Sequence, residues 1–178
     1  MAVESNSAPT TTTAIDAGYV YFDGELVPHE RAQVSVLTHA LHYGTSVFEG
    51  IRAYETARGP AVFRLHEHSR RLLDSAKILG MKVDLTAEEI DNAILTTLRK
   101  NGMPSAYIRP LLWYGAESLG VNPGNNTVHF MVATLPWGVY LGDEAVRKGA
   151  RLMTSSWRRS SGDILPTKSK AGGNYINS

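Results

Sequence analysis

Residues 66–102 read HEHSRRLLDSAKILGMKVDLTAEEIDNAILTTLRKNG, a stretch that predicts two consecutive helices. The first is expected over residues 66–79 and the second over residues 87–101, because both ranges place apolar side chains three or four positions apart. Thr86 and Glu89 have the spacing of a capping box at the start of the second helix. The apolar stripes are Leu72, Leu73, Ala76 and Leu79, then Ile90, Ala93, Ile94 and Leu98, with Gly80 and Gly102 as the helix ends.

Strands are predicted on both sides of this helix pair. Residues 19–27 predict a hairpin, because Asp23-Gly24 is a strong turn signal between two apolar runs. Residues 34–37 predict a short strand or a turn, and further strands are expected at residues 48–54 and 61–65, which form a pair, and at residues 106–114, 127–135 and 150–157. Because the helices lie between groups of strands rather than alternating with single strands, the pattern favours an α+β fold over a doubly wound parallel sheet.

The chain of 178 residues suits one domain and the beginning of a second. Residues 1–15 are rich in Ser, Thr and Ala and lack the basic and apolar segments of a signal peptide, so a flexible tail is expected there. Residues 16–136 are expected to form an N-terminal α+β domain, and residues 137–144 the connection between domains. Residues 145–178 would then begin a second domain that they do not complete.

Charge and composition exclude or disfavour several classes of function. The net charge is +1 with no basic block, so nothing indicates a nucleic-acid partner, and the apolar stretches are too short to span a bilayer. The sequence contains no cysteine, which excludes disulfides, thiolate nucleophiles and Cys-ligated metals and is consistent with a reducing compartment. His39 and His42 have a spacing that suits a metal site on a helix, but no acidic third ligand is evident. Structural histidines are therefore favoured, and no metal is expected.

Two groups of residues are compatible with binding of a cofactor or a phosphate. Lys170 is followed by Ala-Gly-Gly, small residues that let a lysine amine approach a bound cofactor, as Schiff-base chemistry requires. A solvated surface lysine is the commoner explanation of such a pattern. Gly172-Gly173 is also compatible with a phosphate cradle, although it lacks the P-loop spacing. Arg70-Arg71 lies in the first turns of the first helix, where an arginine either binds phosphate with the backbone N–H groups or belongs to a solvated helix face.

A second set of residues suggests a substrate pocket. Tyr107 and Arg109 alternate on a predicted strand and therefore share one face, where a phenol and a guanidinium together suit a carboxylate. The alternative is an ordinary exposed strand face. Phe48, Trp137 and Tyr140 are aromatic residues near glycines, which suits either the walls of an apolar pocket or plain packing.

Together these segments resemble the branched-chain amino acid aminotransferases, which use pyridoxal 5′-phosphate (PLP) on the fold type IV scaffold. The matching runs occur in the same order as in the family and cover nearly all of the chain from residue 19 onward. The resemblance implies an N-terminal α/β sandwich domain followed by a PLP-binding domain. The matching runs are ALHYGTSVFEGIR at residues 40–52, FR to RL at 63–72, SAYIRP at 105–110, GVNP at 120–123, PWG with a following tyrosine at 136–140 and KAGGNY at 170–175.

The resemblance implies a role for each candidate residue. Lys170 is the catalytic lysine that binds PLP, Arg71 binds the cofactor phosphate, and Tyr175 lies beside the phenolic oxygen of the cofactor. The substrate-binding residues that the resemblance implies are Arg52, Tyr107 and Arg109 for carboxylates, Phe48, Trp137 and Tyr140 for apolar walls, and Tyr43 and Val121 for the pocket of a neighbouring subunit.

The function implied by the resemblance is transfer of the amino group of leucine, isoleucine or valine to 2-oxoglutarate by a ping-pong mechanism, in a cytoplasmic homodimer or larger homo-oligomer. D-amino-acid transaminases and aminodeoxychorismate lyases share the fold and the lysine, but residues 48–52, FEGIR, favour the branched-chain subgroup. In the family the acidic partner of the pyridine nitrogen follows the lysine, in the second domain. A non-enzymatic N-terminal part that only folds, dimerises or binds a partner is therefore a further alternative.

Overall fold

The computed structural model describes residues 17–136, 147–149, 152–176 and 178. Helices and strands alternate in blocks rather than singly, so the predicted α+β class is confirmed. The elements are β1 (Tyr19–Phe22), β2 (Glu25–Pro28), α1 (His39–Tyr43), β3 (Ser46–Phe48), β4 (Ile51–Tyr54), β5 (Ala61–Val62), α2 (Leu65–Ile78), α3 (Ala87–Asn101), β6 (Ala106–Tyr114) and β7 (Val128–Leu135), with 3₁₀ turns at His29–Arg31 and Gly172–Tyr175.

In the described ranges the strands form one antiparallel sheet in the order β2-β1-β7-β6-β4-β5, and β3 also pairs with β6. Strand β6 is the centre of this sheet. Eight of its nine residues pair with β7 along one edge, from Tyr107 opposite Leu135 to Tyr114 opposite Val128. Along the other edge β6 pairs first with β4 and then with β3. Any side chain on β6 therefore has neighbours from several strands.

The predicted strand at residues 48–54 is in fact two strands, β3 and β4. The chain leaves the regular ladder at Glu49-Gly50, although the Glu49 N–H still donates to the Pro110 carbonyl at 3.0 Å. A Cβ on Gly50 would lie 2.6 Å from Tyr107 Oη, so only glycine lets the tyrosine approach this break. At this break the Glu49 side chain lies on the same buried face as Val47 and Ile51 and forms ion pairs with helix α2.

Helices α2 and α3 cover one face of the sheet and agree with the predicted helices to within a residue. Thr86 and Glu89 form the predicted capping box, with both reciprocal hydrogen bonds present. Gly102 ends α3 at a φ of 61°, a left-handed conformation that suits glycine. The largest apolar side chains buried between helices and sheet are Val47, Ile51, Leu72, Ile90, Ile94, Ile108, Leu112 and Val132.

The opposite face of the sheet is open within the described residues. Tyr107, Arg109, Leu111 and Trp113 alternate with the core residues of β6 and line a groove of about 590 Å³. Leu41, from α1, borders the same groove. The period of two along β6 thus separates a packed face from a face that is available to a ligand or to further chain.

The remaining predictions have mixed outcomes. The hairpin at residues 19–27 is confirmed as β1 and β2, and Asp23-Gly24 forms its turn with φ values of 46° and 101°. Residues 34–37 contain a turn rather than a strand. The strand predicted at residues 150–157 is wrong for its described part, because residues 152–157 pair with no strand in the described ranges. Leu152, Met153 and Trp157 of this segment are each more than 80% exposed, so the apolar pattern that suggested a strand has no packing partner there.

Two of the predicted segments cannot be compared with the structure. The flexible tail at residues 1–15 and the connection at residues 137–144 lie outside the described residues, and the division into two domains stays a prediction. No described helix combines the length and the apolar character needed to cross a membrane. The described residues also contain no cluster of three or more His, Cys, Asp or Glu side chains with metal-site geometry.

Candidate functional site

The backbone of Lys170 is fixed between the sheet and helix α2. Its N–H donates to Ser75 Oγ at 3.0 Å, and its carbonyl accepts from the N–H of Phe48 at 3.1 Å. Next to it, Ala171 forms an isolated bridge with Val47 of β3. The lysine therefore extends the edge of β3, although the two segments lie far apart in the chain.

Three glycines allow this close packing. A Cβ on Gly172 would lie 2.5 Å from Ser46 Oγ, and a Cβ on Gly44 would lie 2.9 Å from the Cα of Gly173. The Gly173 N–H also donates to the Gly44 carbonyl at 3.2 Å. The glycine pair after Lys170 thus serves close contact between two backbones, which brings the lysine against β3.

The side chain of Lys170 lies between two aromatic rings. Its Nζ donates a hydrogen bond to Tyr175 Oη at 2.5 Å, and it is 4.6 Å from the centre of the Phe48 ring. Phe48 and Tyr175 contact each other with ring centres 5.1 Å apart. Tyr175 is reached through one turn of 3₁₀ helix, Gly172–Tyr175, which returns the phenol to the amine. The arrangement limits the directions in which the amine can point.

Arg71 of α2 is held by a buried carboxylate. Its Nε and Nη2 donate to Glu49 Oε1 and Oε2 at 2.5 and 2.6 Å, and His68 Nδ1 donates to the same Oε2 at 2.9 Å. Glu49 has no exposed side-chain surface, whereas the Arg71 side chain is 55% exposed. The hydrogen bonds that Arg71 donates to Glu49 raise the pKa of its guanidinium above its ordinary value, so this group is a permanent cation.

A cavity of about 270 Å³ connects these groups. Its wall combines an amine, a phenol and several cations with hydroxyl groups. Such a set fits a ligand that carries a phosphate and an aldehyde, because arginines and hydroxyls bind phosphate and a lysine amine attacks a carbonyl. The lining residues are Arg71, Arg159, Ser160, Leu165, Thr167, Lys168, Ser169, Lys170, Asn174 and Tyr175.

Tyr107 and Arg109 share one face of β6, as predicted, and bind each other. Arg109 donates from Nε and Nη2 to Tyr107 Oη at 3.1 and 2.5 Å. The Arg109 guanidinium lies 4.5 Å from the centre of the Phe48 ring, which also contacts Lys170. Phe48 therefore links the lysine to the strand face, and the two predicted groups of residues meet at its ring.

Arg52 is adjacent to this face but has different contacts. It lies opposite Tyr107 in the β4–β6 register, and its guanidinium is 5.8 Å from the ring centre of Tyr54. Its Nε is buried and has no hydrogen-bond partner in the described part of the chain. A buried polar atom of this kind is uncommon in proteins and favours a position next to a polar ligand or a water.

Two further predicted site residues that the structure describes, Tyr43 and Val121, are not at the cavity. Tyr43 donates from Oη to the Leu119 carbonyl at 3.1 Å, and Val121, in the same loop, is 78% exposed. Neither residue lines the cavity around Lys170. Trp137 and Tyr140 lie outside the described residues.

The model of the family described as amino-transferase class IV matches residues 46–175. The chain belongs to the class IV aminotransferases. The match begins at β3 and ends at Tyr175, so it contains Phe48, Ser75 and Tyr175, which contact Lys170. It also contains the Glu49–Arg71 pair.

Individual relatives within the family agree with this assignment. The chain is 50% identical over 167 residues to the branched-chain-amino-acid aminotransferase of Salmonella typhimurium and 49% identical to that of Escherichia coli K12. Both matches cover 93% of this chain and 54% of the relative. The chain thus spans about half the length of the curated relatives it matches.

Solved structures of class IV enzymes confirm the fold. The Escherichia coli branched-chain amino acid aminotransferase aligns with a TM-score of 0.87 and 49% identity, over 92% of this chain and 53% of that one. The enzyme of the organism abbreviated T.th., solved with pyridoxamine 5′-phosphate, aligns with a TM-score of 0.88 and 58% identity, over 92% and 54%. A further structure of the T.th. enzyme was solved with N-(5′-phosphopyridoxyl)-L-glutamate.

Sequence reasoning assigned no role to three residues of this class IV site. Glu49 and His68 lie within the matching runs, and Arg159 lies outside them. An acidic residue between Phe48 and Ile51, in a segment that reads as a buried strand, is a usable signal because a buried carboxylate requires a cationic partner. His68 and Arg71 are three positions apart on α2 and so share one helix face, which indicates where that partner lies.

Proposed function

We propose that the protein that carries this chain is a PLP-dependent aminotransferase that moves the amino group of leucine, isoleucine or valine to 2-oxoglutarate. The observation that supports this most directly is the Lys170–Tyr175 pair on the wall of the cavity that Arg71 also lines. The relatives from Salmonella typhimurium and Escherichia coli favour this reaction over those of D-amino-acid transaminases and aminodeoxychorismate lyases.

The proposed cofactor residues have separate tasks. Bound PLP supplies a carbonyl for covalent attachment and a ring that accepts electrons from the substrate. Lys170 Nζ is the attachment atom and later the base that moves the proton of the substrate Cα. Tyr175 Oη accepts a hydrogen bond from that amine at 2.5 Å and so directs it. Arg71 binds the phosphate, because its exposed side chain is a permanent cation on the cavity wall.

The proposed substrate residues lie around Phe48. Its ring provides an apolar wall for a branched side chain, while Arg109, held by Tyr107, binds a carboxylate. Arg52 contributes a second cation at the same strands, where its buried Nε lacks a partner within the described residues. One pocket therefore serves both an apolar amino acid and glutamate, which a ping-pong reaction requires. Trp137 and Tyr140 are proposed as the remaining apolar walls.

The proposed assembly is a homodimer or larger homo-oligomer. Tyr43 and Val121 are 44% and 78% exposed, and we assign them to the pocket of the neighbouring subunit. Residues 145–178 begin a second domain that completes the cofactor site in the whole protein. We place the enzyme in the cytoplasm, because a sequence without cysteine is consistent with a reducing compartment.

The decisive experiment is chemical trapping in the full-length protein. After incubation with PLP and reduction with borohydride, peptide mass mapping should find one pyridoxyl group, on Lys170. Lys168→Ala is the matched control, since this lysine lines the same cavity two positions earlier, and the adduct should persist. Lys170→Ala should abolish both the adduct and transamination. An adduct on Lys168 instead, or turnover without Lys170, contradicts the proposal.

Substrate tests separate this reaction from the two alternatives. L-Leucine, L-isoleucine and L-valine should each donate an amino group to 2-oxoglutarate, while D-alanine and aminodeoxychorismate should not react. The three branched substrates should differ by modest factors, because one methylene in an apolar pocket changes binding by about 1–3 kcal/mol. Turnover of D-alanine above that of L-leucine would replace the proposal with a D-amino-acid transaminase.

A further inference from the structure

Glu49 is a fully buried carboxylate directly beneath the proposed phosphate-binding residue. It receives three hydrogen bonds, two from Arg71 and one from His68, and has no exposed side-chain surface. An ionised carboxylate is costly to bury unless cations and donors compensate for its lost hydration. It lies at the break between β3 and β4, where its backbone N–H still donates to the Pro110 carbonyl. The arrangement calls for an explanation beyond packing.

The orientation of the Arg71 guanidinium provides one. The planar group uses its Nε and Nη2 edge to bind both oxygens of Glu49. The opposite edge, with Nη1, therefore points away from the carboxylate. Because the side chain is 55% exposed and lines the 270 Å³ cavity, that outer edge is available to a ligand. Two hydrogen bonds fix the rotation of the guanidinium as well as its location.

Glu49 is itself anchored to two elements. Its backbone N–H donates to the Pro110 carbonyl of β6, and His68 binds its Oε2 from α2. His68 and Arg71 are three positions apart, so one face of α2 contacts the carboxylate twice. A residue on the sheet thus sets the direction of an arginine on the helix, and both ends of the contact are rigid.

We propose that Glu49 is a positioning residue that presents Arg71 to the phosphate of the cofactor. This inference rests on the proposed function. A free arginine loses side-chain entropy when it binds a phosphate, whereas Arg71 is already ordered by the fold. Pairing with Glu49 does not make the cavity neutral, because Lys168, Lys170 and Arg159 also line it. The carboxylate therefore contributes orientation while the cavity stays cationic.

The competing explanation is structural, namely that Glu49 only attaches α2 to the sheet. The two explanations differ in what they predict for ligands with and without a phosphate. An attachment role lowers stability and affects all ligands alike. A positioning role affects a phosphorylated ligand far more than its unphosphorylated counterpart. Pyridoxine 5′-phosphate and pyridoxine are suitable probes, because they differ only in the phosphate and have no aldehyde to react with Lys170.

The test measures the dissociation constants of both probes on the full-length protein freed of cofactor. Glu49→Gln should raise the dissociation constant of pyridoxine 5′-phosphate by about tenfold, the typical effect of losing a hydrogen bond to a charged group. The dissociation constant of pyridoxine should rise by less than about twofold. Glu67→Gln is the matched control, since it removes the carboxylate from an exposed Glu–Arg pair on the same helix and should change neither. Equal weakening of both probes, or no change in either, overturns the proposal.

A second variant covers the case in which Glu49→Gln does not fold. His68→Gln leaves Glu49 and Arg71 in place, and His68 is 21% exposed, so the substitution is tolerated sterically. This substitution should raise the dissociation constant of the phosphorylated probe only, by about threefold, because one of the three hydrogen bonds to the Glu49 carboxylate becomes weaker. Equal affinities of wild type and His68→Gln for the phosphorylated probe would contradict the proposal in that case.

The same measurements separate failure of this inference from failure of the proposed function. If the wild-type protein binds neither probe, the proposed cofactor is wrong. If Arg71→Gln selectively weakens the phosphorylated probe but Glu49→Gln and His68→Gln do not, the function stands and the positioning role is lost. In an Arg71→Gln background, Glu49→Gln should have no further effect on probe selectivity, since the residue acts through Arg71.

Discussion

The two faces of strand β6 have opposite properties. On one face Ile108 is completely buried against the helices, and on the other Arg109 points into an open groove with Tyr107. The residues are neighbours in the chain, and the alternation of the strand alone separates them. Substitutions on this strand can therefore alter stability and ligand binding independently, one residue at a time.

The largest expected effect comes from the packed face. Ile108→Ala should lower the free energy of unfolding by about 2–5 kcal/mol, because it leaves a cavity in the core between sheet and helices. Arg109→Ala should lower it by less than about 1 kcal/mol, since the side chain lies on the open face. Urea unfolding of both variants tests the contrast. Similar losses in the two variants would show that the open face is also part of the stabilising core.

The next effect concerns the contact between the lysine segment and β3. Gly172→Ala should cost about 1–3 kcal/mol, because the new Cβ would overlap Ser46 Oγ. Ser46→Ala in the same protein should restore most of the loss by removing that oxygen. Gly120→Ala is the control, since its Cβ would lie 3.7 Å from Ser118 Oγ, an ordinary contact. Thermal unfolding without cofactor measures all three, and a failed rescue would contradict the assigned cause.

The open face should respond to the loss of a single oxygen. Tyr107→Phe removes the acceptor of two hydrogen bonds from Arg109. The KM for 2-oxoglutarate should rise by about tenfold, the typical effect of a hydrogen bond to a charged group, while the melting temperature changes little. Tyr21→Phe, at a ring that packs on Phe130, should leave the KM unchanged. An unchanged KM in Tyr107→Phe would show that the Tyr107–Arg109 pair does not take part in binding 2-oxoglutarate.

The smallest effect lies at the start of α3, far from the groove. Hydrogen bonds from the backbone N–H and the hydroxyl of Thr86 lower the pKa of Glu89 below its ordinary value of 4.5. A lowered folded-state pKa stabilises the protein above the unfolded pKa, and that stability is lost as the pH falls through the folded value. The melting temperature of Glu89→Gln should therefore be below wild type at pH 7 and approach it below about pH 4.

Glu88→Gln, one position earlier, is the matched control for this titration. The difference between wild type and Glu89→Gln should exceed that between wild type and Glu88→Gln at pH 7. A Glu89→Gln difference that stays constant with pH would show that the capping box acts through shape rather than charge.

The features that the sequence predicts best are helix ends and tight turns, because residues close together in the chain determine them. Thr86, Glu89 and Gly102 identify both ends of α3, because caps depend on residues within one turn. The Asp23-Gly24 turn follows from the same kind of local rule. The family resemblance of the matching runs extends these predictions from single elements to the class IV fold.

Features that depend on distant partners were not predicted from local patterns. Glu49, at the break after β3, binds Arg71, which is 22 positions away on another element. The strand expected at residues 150–157 has apolar alternation, but its described part finds no strand to pair with. For the site, the resemblance implied the role proposed for Lys170, whereas the contact between Glu49 and Arg71 is evident only from the three-dimensional structure.

The attachment of Lys170 to Ser75 also has a consequence for the order of folding. The hydrogen bond joins residues 95 positions apart, and closing so long a loop is entropically costly unless helix α2 and strand β3 already exist. During synthesis the sheet is complete once β7 has emerged, well before the lysine. The amine proposed to hold the cofactor thus joins a surface that strands β1 to β7 and the helices already provide, together with Ala171, which adds to the hydrophobic core, so the proposed cofactor site is completed late in folding.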